Sequence, residues 1–272
     1  MAVFGMRDLG DFLFPRRHAL LIWQFAQRDV LARYRGSTLG LTWAFAQPLL
    51  MLGVYTFVFH EVFKVRWHGG QGGGVEFALQ VYAGLVVYNI VAECAGRAPR
   101  LVLDYPNLVK KVIFPLEILP WTTLLASAFH AAINCLVLLA AAALLRGSLT
   151  ASALALPLVL LPLVPALLGI SWFLAALGVF VRDVGQVVAL ALNLLLFLSP
   201  VFYPLSALPE RWQGWLLLNP LAAVIEQVRR VVIEGAWPDW KLLALQFAAG
   251  VIVAALGARW FAATRKGFAD VL

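Results

Sequence analysis

Runs of about 20 apolar residues recur along this chain, and each is long enough to cross the roughly 30 Å hydrocarbon core of a bilayer as a helix. Six stand out: Leu39 to Phe63, Phe77 to Ala95, Ile118 to Leu145, Leu154 to Val181, Val184 to Phe202 and Leu242 to Phe261. Inside lipid every backbone N–H and C=O must find a partner within the protein, so such runs fold as helices. Pro48 lies inside the first run, and Pro157, Pro162 and Pro165 crowd the start of the fourth. Neighbouring helices can satisfy the carbonyls these prolines free. The charge content points the same way. Only 13% of the 272 residues are charged and 62% are hydrophobic, against about 25% charged in soluble domains. A globule in water could not clothe its surface with so few charges. The expected fold class is all-α integral membrane with six transmembrane helices.

Lysine and arginine set the expected orientation. With the N-terminus in the cytoplasm, 14 of the 21 fall on the inner side and 7 on the outer. That bias places both termini in the cytoplasm. The net charge of +7 sits between apolar runs, a pattern that fits anionic lipid rather than nucleic acid. Arg7, Asp8, Asp11, Arg16 and Arg17 precede any long apolar run, so no cleavable signal peptide is expected.

Three segments are expected not to span. Residues 17–35 place Arg17, Gln24, Gln27 and Arg28 on one side of a helix. Leu20, Ile22, Trp23, Ala26, Val30 and Leu31 cover much of the rest. Such a helix lies in the membrane interface, or else packs as an ordinary amphipathic helix. His68 to Gly74 (HGGQGGG) reads as a flexible external loop. Pro204 to Trp237 holds two short amphipathic pieces, Ser206 to Leu218 and Leu221 to Glu234, broken at Asn219-Pro220. Together they form either a re-entrant hairpin shielded by protein or a surface loop with two interfacial helices. Trp212, Trp215 and Trp237 suit an interfacial belt in both cases.

Missing chemistry is informative. A phosphate-cradling loop needs Gly-Lys followed by Ser or Thr. None of Lys64, Lys110, Lys111, Lys241 and Lys266 precedes either residue. ATP and magnesium, if used, belong to a separate polypeptide. His18, His60, His68 and His130 lack metal-ligand spacing, and Cys94 and Cys135 sit in apolar segments without a CxxC pair. No metal or cofactor is expected in this chain. Glu61, Glu93 and Glu117 lie near span ends where water reaches them, which weighs against a proton-coupled carrier. A membrane-embedded acyl- or glycosyltransferase would need clustered catalytic His, Asp or Glu at one membrane face, and no such cluster is visible.

Three stretches carry a family resemblance: Arg28 to Trp67 (RDVLARYRGSTLGLTWAFAQPLLMLGVYTFVFHEVFKVRW), Pro106 to Pro120 (PNLVKKVIFPLEILP) and Leu198 to Pro220 (LSPVFYPLSALPERWQGWLLLNP). They resemble the ABC-2 type permeases of polysaccharide export, the O-antigen and teichoic acid exporters and, more distantly, capsule exporters. The resemblance implies a homodimer of six-span subunits with two copies of an ABC ATPase subunit on the cytoplasmic side. It implies a channel at the dimer interface and re-entrant periplasmic helices between the fifth and sixth spans. The cargo it implies is lipid-linked polysaccharide crossing a bacterial inner membrane; capsule, teichoic acid or another lipid or drug would suit the same fold.

Residue roles follow as expectations. The connection at 97–115 is short, charged and cytoplasmic, and its motif match implies a coupling helix that meets the ATPase through Asp104, Asn107, Lys110 and Lys111. Arg28, Arg33 and Arg35 stand where the interfacial helix meets the first span, and their guanidinium forks suit a lipid pyrophosphate. Leaflet anchoring at about 1 kcal/mol per charge is the plain alternative. Sugar faces need flat, weakly binding surfaces. Trp43, Phe45, Tyr55 and Phe59 on the first span, with Phe197, Phe202 and Tyr203 at the fifth, are the candidate channel lining.

Overall fold

The computed structural model describes residues 10, 12–58, 74–110, 114–147, 149–205, 209, 211, 214 and 219–272. Phe59, Lys111, the end of the first apolar run, Trp212, Trp215 and most of the segments His68 to Gly74 and Ser206 to Leu218 lie outside the described residues. Eleven helices are used below, with no strand among the described residues. They are α1 (Ala19–Tyr34), α2 (Trp43–Phe57), α3 (Gly74–Arg97), α4 (Pro106–Lys110), α5 (Leu119–Arg146), α6 (Leu156–Leu160), α7 (Leu163–Phe180), α8 (Val184–Leu198), α9 (Pro220–Val232), α10 (Trp240–Thr264) and α11 (Phe268–Val271).

Four helical stretches are long and apolar enough to cross a membrane: Gly74–Arg100, Leu116–Arg146, Ala151–Phe180 and Trp240–Val271. The most apolar window of the first is 72% buried, against 28% for the last, so α3 is the central post of the bundle. Outward-facing apolar side chains are numerous: Leu190 on α8, Leu245 and Ile252 on α10 and Leu144 on α5 are each more than 60% exposed. Water would not tolerate that surface. The chain is a multi-pass membrane protein.

Prolines set several boundaries. The fourth apolar run is broken between α6 and α7. Pro165 has no N–H to give the Leu161 carbonyl, and Val164 N donates to it instead at 3.1 Å. The fifth run ends as a helix at Leu198 rather than Phe202. Ser199 precedes Pro200 and takes an extended conformation (φ −102°, ψ 150°), as a residue before proline favours. At 15 residues, α8 is about 22 Å long, shorter than the hydrocarbon core. Asn219 caps α9 by accepting from Leu221 N at 3.0 Å, with Pro220 at the first helical position. Asp239 caps α10, accepting from Lys241 N and Leu242 N.

Small residues let helices approach where lipid gives no hydrophobic drive. The most extensive helix pair is α7 with α10. A Cβ at Gly257 would meet the Gly169 carbonyl oxygen at 2.1 Å, and one at Gly169 would meet the Val253 oxygen at 2.3 Å. Gly178 meets the Pro99 carbonyl just as closely, at 2.1 Å.

Phe12 and the last helix, α11, lie at one end of the bundle. Phe12 packs edge-on against Trp172 and Phe261, and Phe261 against Phe268. Trp121 donates to the Phe12 carbonyl, Trp172 to the Glu117 carbonyl, and Arg265 reaches Glu117 at 3.4 Å. Toward the other end α9 packs on α3, α6 and the turn Ala151–Ala155. Its Arg229 is 1% exposed. That guanidinium donates to the Gln80 carbonyl of α3 at 3.1 and 3.2 Å, to the Val201 carbonyl at 3.0 Å and to Glu226 at 2.8 Å. One side chain thus ties three segments together.

Two outcomes are expected in detergent unfolding titrations. Gly257→Ala lowers stability by about 2 kcal/mol or more, because a helix backbone must retreat, whereas Gly53→Ala, with nothing within 4 Å, leaves it unchanged or slightly raised. Arg229→Ala costs about 3–5 kcal/mol, since it strands the groups it paired.

Candidate functional site

Four helices, α1, α2, α3 and α5, surround a cleft of about 710 Å³. One face of α3 runs down it, from Arg97 and Glu93 through Asn89 and Val86 to Tyr82, about 22 Å of helix. The opposing wall is a polar stripe on α5. Thr123, Ser127, His130 and Asn134 recur at helical spacing in an otherwise apolar helix, and the last three line the cleft. Gln47, Met51 and Tyr55 of α2 close a third side.

The cleft is charged toward the end of the bundle that holds Phe12 and α11. Asp29 and Arg33 lie one turn apart on α1, and Glu93 and Arg97 one turn apart on α3. The helices run antiparallel, so each acid meets the other helix's base. Arg97 donates to Asp29 at 2.7 Å and Arg33 to Glu93 at 2.9 Å. His130 adds a third partner. Its Nδ1 lies 2.9 and 3.1 Å from the two Glu93 oxygens and 3.2 Å from Arg33 Nη1, so the three side chains form one cluster. His130 Nε2 is buried without a hydrogen-bond partner among the described residues. The two arginine side chains are 49% and 43% exposed while the acids are 17% and 14% exposed. With one partner of each pair open to solvent, the pairs contribute on the order of 1 kcal/mol each. They are weak enough to be exchanged for a ligand.

Deeper in, the polar groups are uncharged. Tyr82 donates to Asn134 at 3.0 Å, and Asn134 donates to the His130 carbonyl at 2.8 Å. Asn89, Gln47 and Tyr55 face the same space. Amides and phenols at this depth can bond hydroxyl groups without holding a charge.

The three headgroup arginines do not converge. Arg33 lines the cleft. Arg28 and Arg35 line a separate groove of about 650 Å³ across α1. Arg28 lies 4.6 Å over the Phe25 ring and 5.5 Å over the Tyr105 ring, and donates to the Tyr105 hydroxyl at 2.7 Å. Phe25 also packs on Phe114. The connection on either side of α4 is therefore gripped by α1. Asp104, Asn107 and Lys110 stand exposed there. Among the channel aromatics, Tyr55 lines the cleft and packs on Phe202, which packs on Phe197. Tyr203 donates to the Phe197 carbonyl at 3.1 Å. Trp43 lies in a shallow apolar groove on the outer face of α2, and Phe45 is 44% exposed.

Asp29, Asn89 and Asn134 are site residues that reading the sequence did not single out; Glu93 was read as a water-reached acid, His130 as a packing histidine and Arg97 as the start of the cytoplasmic connection, none of them as part of a site. Their signals are present in it: acid and base four apart at 29–33 and 93–97, and a polar period on the third apolar run.

The model of the family described as "ABC-2 type transporter" matches residues 20–233. Over 252 residues the chain is 27% identical to the "O-antigen export system permease protein RfbA" of Myxococcus xanthus, covering 92% of this chain and 94% of that one. It is 24% identical over 255 residues to the protein of the same name from Klebsiella pneumoniae, covering 93% and 95%. The "Polysialic acid transport protein KpsM" of Escherichia coli is 22% identical over 213 residues, covering 76% and 79%. With the family match running from α1 through α9, this chain belongs to the ABC-2 type transporter family.

Proposed function

We propose that the chain is the transmembrane permease subunit of an ATP-driven exporter, and that it passes lipid-linked polysaccharide from the cytoplasm across the inner membrane. The observation that carries this reading is its likeness, over more than nine-tenths of its length, to permeases named for O-antigen export. The cleft supports it. A charged mouth suits a phosphate-bearing lipid head, and amides and phenols beyond it suit sugar hydroxyls.

In this reading two copies of the chain associate, each with six spans and both termini in the cytoplasm. An ABC ATPase pair docks beneath. The segment before α10 dips into the outer leaflet, with α9 as its returning arm. Asp104, Asn107, Lys110 and Lys111 meet the ATPase. Phe25 and Arg28 pass the movement of that connection to α1 through Tyr105 and Phe114. Because α1 also carries Asp29 and Arg33, ATP binding on the partner biases the mouth of the cleft between two arrangements.

Cells deprived of this chain will accumulate lipid-linked polysaccharide in the cytoplasm and lose it from the surface, and restoring the chain will reverse both; undiminished surface polysaccharide overturns the proposal. Lys110→Glu will lower export about tenfold while the assembled complex continues to hydrolyse ATP, because a reversed charge disrupts docking geometry. Unchanged export with normal assembly removes the coupling role.

A further inference from the structure

Of the three headgroup arginines Arg33 alone lines the cleft, yet it is already engaged. Its Nη1 lies 2.9 Å from Glu93 Oε1 and 3.2 Å from His130 Nδ1, and that nitrogen in turn lies 2.9 and 3.1 Å from the two Glu93 oxygens. The mouth holds two acids and two arginines, Asp29 with Arg97 and Glu93 with Arg33, so their formal charges cancel. Net charge alone therefore gives this mouth no pull on an anion.

We infer that Glu93 is a specificity-determining residue of the cleft, a resident carboxylate that an incoming head must displace from Arg33. This rests on the reading of Arg33 as a headgroup ligand. The chemistry that wins such an exchange is a phosphate ester or diphosphate carrying two or more negative charges. It offers the guanidinium two parallel acceptors and more charge than a single carboxylate. A monoanionic phosphodiester brings no more charge than Glu93 and does not displace it. The displaced carboxylate is not left bare in the membrane, because His130 Nδ1 lies within hydrogen-bond distance of both of its oxygens and donates to them once Arg33 has left. His130 is thus a positioning residue that lets the exchange take place without stranding a charge. Asp29 and Arg97 keep α1 docked on α3 meanwhile.

The test uses the full chain in phosphatidylcholine nanodiscs with three probes: farnesyl diphosphate, inorganic pyrophosphate and the monoanionic lipid phosphatidylglycerol. Binding is followed by intrinsic tryptophan fluorescence. The unaltered chain will prefer farnesyl diphosphate to phosphatidylglycerol. Glu93→Gln removes the charge that holds Arg33 and leaves only a neutral acceptor, so both probes will bind more tightly and the preference will shrink about tenfold. Asp29→Asn changes the net charge equally but leaves Arg33 held, and will keep the preference. If Glu93→Gln does not fold, Glu93→Asp retracts the carboxylate by one methylene and will give an intermediate loss of preference. Binding of inorganic pyrophosphate with the same variant pattern supports the exchange, since the head alone carries it. A preference unchanged in the Glu93 variants, or lost equally in Asp29→Asn, overturns the exchange. Arg33→Gln separates the two ideas: if it binds farnesyl diphosphate as well as the unaltered chain does, the headgroup reading itself fails.

Discussion

Hydrocarbon offers no partner to a charge, so each charged group carried between the helices of this chain must be answered by another helix. That constraint shapes the mouth of the cleft. Asp29 and Arg33 on α1 find Arg97 and Glu93 on α3 only because the two helices run antiparallel and in register. Along α5 the polar stripe is met by Tyr82 and Glu93 from α3. The same constraint holds the opposite end together, where the buried Arg229 spreads its donors over the Gln80 and Val201 carbonyls and Glu226. Elsewhere the bundle relies on close contact of small residues, as where Gly257 lies against Gly169.

Charge pairing makes α1 more than an anchor. Its buried face, Ile22, Ala26 and Val30, packs in the bundle, while Leu20, Trp23 and Leu31 stay outward. Its charged face enters the cleft, and Phe25 with Arg28 holds the connection around α4. One rigid helix therefore touches both the proposed docking site of the motor and the proposed mouth of the passage. With the arginine of each pair open to solvent, the energy at stake is small, which suits the proposed exchange of partners.

Much of this architecture was legible from run length alone. The apolar runs from Phe77, Ile118 and Leu242 became α3, α5 and α10, each beginning and ending within about three residues of expectation. Proline chemistry explains the shorter α8 and the break before α7. The pairing of charges was not legible, because the partners lie 60 and 68 residues apart in sequence. Arg28, Arg33 and Arg35 are near neighbours in the chain, yet the helix turns Arg33 into the cleft and Arg28 away from it. A helical period of 3.6 separates residues that a count of arginines groups together. Glu93 sits near the end of its apolar run as expected, but its carboxylate meets Arg33 and His130 rather than open water.

The account depends on the cleft being a wet path while the outer faces of the helices meet lipid. Cysteine accessibility measures this directly. In a background with Cys94 and Cys135 replaced, single cysteines at Asn89, Asn134 and Leu190 are treated in native membranes with a membrane-impermeant, positively charged thiol reagent. The account predicts modification at 89 and 134 and none at 190. Protection of both cleft positions, or equal modification at all three, would contradict it.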